Sequence, residues 1–85
     1  MEQFKTTAPI YQELGVSYMP APFEEKLEDG NKIIGWAPIG VGEDEPHWRL
    51  MKEVTEGGVT KRLYAQGSMD FEFKWSERAN YIYSR

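Results

Sequence analysis

The single histidine of this 85-residue chain, His47, closes a loop that also carries Glu43, Asp44 and Glu45. An imidazole beside carboxylates is the smallest arrangement that could orient a general base for proton transfer. The sequence offers that base no nucleophile, since it has no cysteine and no serine in a Gly-x-Ser-x-Gly setting. Calcium loops present their oxygen ligands at alternate positions around a glycine, and the three adjacent carboxylates are not spaced that way. Gly40-Val41-Gly42-Glu43-Asp44-Glu45-Pro46 therefore reads as a solvated acidic loop, bounded by glycine and closed by proline. No catalytic residue, metal or cofactor is expected.

The other chemistry available is aromatic. Trp36, Trp48 and Trp75 could present flat faces to sugars, as a carbohydrate- or receptor-binding module would. A tryptophan in a small domain more often belongs to the core, so Trp48 and Trp75 are expected to be buried. Trp36, beside Gly35 and Pro38, is the candidate for exposure. Arg78 lies between Trp75 and Tyr81, where its guanidinium can stack on a ring or fork onto a carboxylate or carbonyl and so fix the local turn.

Bulk composition narrows the classes. With 40% hydrophobic and 14% aromatic residues, the chain is too apolar to be wholly disordered. It is also too short to bury a large core, and without cysteine no disulfide or thiolate site can supplement that core. Assembly is the remaining source of stability. A net charge of −4 with no basic stripe argues against nucleic acid. The first residues show no basic segment followed by an apolar one, and no apolar run is long enough for a bilayer. A soluble protein made in a cytoplasm, with no membrane partner, is expected.

The elements follow from local pattern. Residues 1–22 hold Pro9, Pro20 and Pro22 among Phe4, Ile10, Leu14 and Tyr18, which predicts an extended arm that docks on a neighbouring chain. The alternative is a strap on the domain's own surface. From residue 23 a small β domain is expected, running to residue 85. Glu28-Asp29-Gly30-Asn31 predicts a two-residue hairpin loop joining Phe23–Leu27 to Lys32–Ile39. Gly35 and Pro38 make that second segment an edge or bulged strand. His47–Thr55 alternates, with Trp48, Leu50 and Val54 on the apolar face and Arg49, Met51 and Glu53 on the other. Glu56-Gly57-Gly58 turns the chain into Val59–Ala65, completing a second hairpin.

Most of the large side chains sit in the run from Tyr64 to Ser84. Phe71, Phe73 and Trp75 alternate as a strand would. Asp70 as an N-cap with Phe71, Trp75, Arg78 and Ala79 at helical spacing instead predicts a short helical turn, the reading slightly preferred. Tyr81-Ile82-Tyr83 then forms a terminal strand. The fold class is mostly β: a hairpin-based sheet or sandwich with an extended N-terminal arm.

The order Trp48-Arg49-Leu50, Val59-Thr60, Tyr64-Ala65-Gln66-Gly67, Phe71, Trp75, Arg78-Ala79 and Tyr81-Ile82-Tyr83-Ser84 resembles a group of small virion structural proteins of tailed bacteriophages. Ile34-Gly35-Trp36-Ala37-Pro38-Ile39-Gly40 is similar to their glycine-bracketed segment, so the resemblance covers residues 33–84. It implies a head, neck or tail component of a virus particle, made in the host cytoplasm and without enzymatic activity. Its partners would be other virion proteins and copies of itself. Trp48, Phe71, Trp75, Arg78, Tyr81 and Tyr83 would serve core and assembly, while Phe4, Ile10, Leu14 and Tyr18 would dock the arm.

Overall fold

The computed structural model describes residues 19–85. The arm-docking residues Phe4, Ile10, Leu14 and Tyr18 lie outside the described residues. Five strands form one antiparallel sheet in sequential order: β1 (Phe23–Lys26), β2 (Lys32–Trp36), β3 (Arg49–Glu56), β4 (Val59–Ala65) and β5 (Tyr83–Ser84). A 3-10 turn at Trp75–Glu77 precedes β5. The described part of the chain is thus mostly β, and of the two expected forms it takes the single sheet.

Turn chemistry explains both hairpins. Gly57 and Gly58 have φ of 56° and 80° between the paired residues Glu56 and Val59, the two positive values that a two-residue loop matching strand twist requires. The first hairpin differs from expectation by one residue. Gly30 donates its amide to Leu27, Leu27 donates to Asn31, and Gly30 has a φ of 89°, so Glu28, Asp29 and Gly30 make a three-residue loop with glycine at the left-handed position. The Asp29 carboxylate accepts from the Asn31 amide at 3.0 Å and holds the turn.

β2 is an interior strand, hydrogen-bonded to β1 and β3, not the edge that Gly35 and Pro38 suggested. The strand ends at Trp36, so Pro38 never has to supply a ladder donor. Gly35 has a packing reason. A Cβ there would stand 2.6 Å and 2.8 Å from two ring carbons of Trp75 and 3.0 Å from a Leu50 methyl. The missing side chain is the seat of the Trp75 indole.

One face of the sheet carries the core: Ile33, Ala37, Trp48, Leu50 and Ala65, closed by Phe73 and Trp75 from the C-terminal run, with Leu27, Val41, Tyr81 and Tyr83 around them. Leu50 is fully buried. That run combines both readings of its pattern. Phe73 is extended and exchanges two backbone hydrogen bonds with Trp48, beyond the point where β4 ends, and the helical turn begins only afterwards. Asp70 does not cap it, because Lys74 occupies the N-cap position without a side-chain bond. The opposite face is not wholly polar as the alternation implied. Ile34 and Met51 are cross-strand partners and both are buried, with Tyr64 next in the row. Val59 is exposed at the hairpin end.

Gly35→Ala is expected to destabilise the domain by about 1–3 kcal/mol, the usual cost of forcing an extra methyl into a packed site. Urea unfolding followed by tryptophan fluorescence would measure it. A neutral effect would mean that Trp75 does not rest on β2.

Candidate assembly surface

Glu43, Asp44, Glu45 and His47 are all exposed, and among the described residues no group of three or more His, Asp or Glu side chains is placed to hold a cation. The loop works through its backbone instead. The Gly42 carbonyl accepts from the Trp48 indole at 3.0 Å, and the Glu43 carbonyl accepts from the Ser76 amide at 3.0 Å. These bonds tether the loop over the sheet and give the buried indole N–H its partner.

The aromatic residues divide into two groups. Trp48 and Trp75 are buried with ring centroids 5.6 Å apart, and Phe23 packs on them at 5.0 Å and 5.5 Å. Their faces are therefore covered, whereas Trp36 is half-buried. Phe73 and Tyr81 meet edge to face at 5.0 Å, and the Tyr81 hydroxyl accepts from the Lys74 amide. Phe71 lies outside this cluster. It is half-buried under the Arg49 guanidinium, 4.5 Å from its ring centroid, and Arg49 also donates to the Met69 carbonyl at 2.6 Å.

Arg78 binds three elements together. Its guanidinium stacks 4.5 Å from the Trp75 ring, its Nε donates to Glu25 of β1 at 2.8 Å, and its Nη1 donates to the Trp75 carbonyl at 3.1 Å. The Tyr83 hydroxyl in turn donates to the Arg78 carbonyl at 2.7 Å. Through its side chain and its carbonyl, Arg78 thus ties β1, the 3-10 turn and β5 into a clasp. Burial, with a smaller contribution from neighbouring Tyr81, pushes the Tyr83 phenol up from 10.0 to about 12.

What remains open is apolar and backbone surface. A cleft of about 230 Å³ is lined by Pro20, Ala21, Phe23, Pro38, Ile39 and Val41, with Trp48 and Ala37 at its floor. Ile39 is 79% exposed and Phe23 is 45% exposed, which is unusual for residues of this size on a chain so short of core. Beside the cleft runs β1, which among the described residues is bonded to β2 alone. At the other end of the sheet, β5 pairs only with Tyr64 and Ala65, so among the described residues Val59–Arg62 of β4 pair with β3 on one side and with no strand on the other. Sequence reasoning found the strands but not these two edges, because edges depend on strand order. Ile39, expected at the end of the strand Lys32–Ile39, lies beyond the end of β2 and is exposed.

Comparison with protein-family models, curated proteins and solved structures gives no match.

The raised Tyr83 phenol has a consequence for stability. The folded chain holds this proton more tightly than an unfolded tyrosine does, so its contribution is complete below pH 10.0 and is lost as pH climbs toward about 12. Tyr83→Phe should cost about 0.5–1.5 kcal/mol near neutrality through the lost hydrogen bond and should flatten the alkaline loss. Thermal unfolding against pH would check both; equal alkaline slopes in the two proteins would place the titration elsewhere.

Proposed function

We propose that the chain is a structural component of a tailed-bacteriophage virion, in the head, neck or tail, that acts by protein–protein assembly. The observation that carries the assembly reading is the open sheet: among the described residues, five strands with backbone left unpaired at both ends and an apolar cleft beside one of them. Extended segments add to such edges through main-chain hydrogen bonds, while adjoining pockets accept their side chains. The described residues form a core on one face from seven buried side chains, and binding to a neighbour adds burial that a small domain lacks. The virion assignment rests on the resemblance borne by Trp48, Tyr64-Ala65-Gln66-Gly67, Trp75, Arg78-Ala79 and Tyr81-Ile82-Tyr83-Ser84.

On this reading the chain is made in the host cytoplasm and ends in the particle, held by other virion proteins and by copies of itself. It performs no catalysis and needs no cofactor. The apolar residues of 1–22 add docking surface toward a neighbouring chain.

Ile39→Asp tests the role of the cleft, because so exposed a side chain contributes little to folding. The variant is expected to fold with unchanged circular dichroism and to be depleted from purified particles by mass spectrometry. Normal incorporation would remove the cleft from the assembly surface. Absence of the unmodified chain from purified particles would overturn the virion reading.

A further inference from the structure

We propose that copies of this chain join head to tail, β1 of one copy adding to the free part of β4 of the next so that the sheet continues from copy to copy. The inference deepens the assembly reading and rests on it only in taking the partner to be protein. Its ground is the direction of the backbone groups on the two edges.

Backbone N–H and C=O groups alternate between the two sides of a strand. The Leu27 amide points to Asn31 across the first hairpin, so the amides of Glu24 and Lys26 point away from the sheet. The Gln66 amide points to Ile82 on the β5 side, so those of Thr60 and Arg62 point outward as well. Strand directions alternate along the sheet, and a copy that simply continues it brings β1 antiparallel to β4. Outward residues must then meet outward residues, which leaves few registers.

One of these sets Glu24 against Arg62 and Lys26 against Thr60, with Glu25 opposite Lys61 and Leu27 opposite Val59 between and beyond them. Two opposite charges and one apolar pair result, and no like charges meet. Sliding by two residues one way brings Lys26 onto Arg62; sliding the other way brings Lys26 to Gly58 and loses both charge pairs. Two-fold pairing of β1 on itself is disfavoured in each register centred on the strand, since Glu24, Glu25 or Lys26 would face its own copy. Charged edge strands ordinarily discourage pairing. Here β1 disfavours its own kind and suits β4. A trough of about 450 Å³ between Val59–Arg62 and Arg85 leaves room along β4. Glu24 and Arg62 keep 54% and 59% of their side-chain surface exposed, and each would share or exchange a partner within its own copy, Lys32 at 3.9 Å and Glu53 at 3.1 Å, for the opposite charge across the contact. The contact is heterologous, so it builds a ring where the rotation closes and a filament where it does not.

A four-residue ladder buries much less than the roughly 1,200 Å² of a stable complex, so covalent trapping is the suitable probe. The chain has no cysteine of its own, which gives a clean background. In the full chain, Lys26→Cys with Thr60→Cys leaves both charge pairs intact. The two positions cannot join within one copy, because two strands separate β1 from β4 at about 4.8 Å per step. Between copies they would be a hydrogen-bonded pair at about 5.5 Å, within disulfide reach. Mild oxidation should give dimers, trimers and longer multimers on a non-reducing gel. The shifted pair Lys26→Cys with Arg62→Cys should give far fewer.

Adding Glu24→Arg to the trapping variant should slow multimer formation by about tenfold. Adding Arg62→Glu alone should do the same, and mixing these two reversed proteins should restore the ladder. Monomer only, equal yields in both registers, or insensitivity to the reversals would overturn the pairing. Failure of this pairing remains distinct from failure of the virion reading. A trapping variant that enters particles but yields no multimers there loses the pairing alone, whereas multimers from a chain absent from particles leave the pairing and remove the virion.

Discussion

The fold depends on the seating of Trp75 against the bare backbone of Gly35. A single sheet has to cover its apolar face with something, and in the described residues the cover is the short C-terminal segment from Phe73 to Tyr83. That segment has one turn of 3-10 helix and two residues of strand, so regular hydrogen bonding alone would hold it weakly. The indole anchors it by lying flush on β2, where any side chain at Gly35 would lift it away. Phe23 and Trp48 close around the ring, and Arg78 stacks on it while reaching Glu25. Burial of aromatic area provides the stabilisation, and the missing Cβ sets the geometry.

The same arrangement determines what stays open. Covering one face with a short segment consumes the large side chains of the run, and β5 then reaches only Tyr64 and Ala65. Among the described residues, the outer part of β4 and all of β1 keep one side of their backbone free. Phe23 belongs to both regions. It packs on Trp48 and Trp75 yet remains 45% exposed at the cleft, so the core and the surface offered to a neighbour share a residue. A partner that covers the cleft would reinforce the aromatic cluster directly.

The legible parts of the sequence were those encoded locally. Gly57-Gly58 specified a tight hairpin, alternation from Trp48 to Val54 marked a strand, and the mostly-β class followed. The parts that were not legible depend on contacts far apart in sequence. Gly35 looks like a strand interruption until Trp75, forty positions on, is seen to need the space. Met51 looks solvent-facing by alternation and is buried because Ile34 is its cross-strand partner. Phe71 looks like core by type, yet it is only half-buried, with the Arg49 guanidinium over its ring. For the surface, the charged residues of β1 and β4 could be read from sequence, but the exposure of Ile39 beyond the end of β2 and the backbone groups left free at the edges could not.

On the proposed assembly, the sheet is complete in itself across its middle and is finished at its edges by neighbouring chains. Residue-resolved hydrogen exchange across a concentration series tests this most directly. The amides of Ile33 and Leu50 should be protected at every concentration, while those of Glu24, Lys26, Thr60 and Arg62 should exchange freely when dilute and become protected together as concentration rises. Edge amides that stay unprotected throughout, or that are already protected at the lowest concentration, would contradict the account.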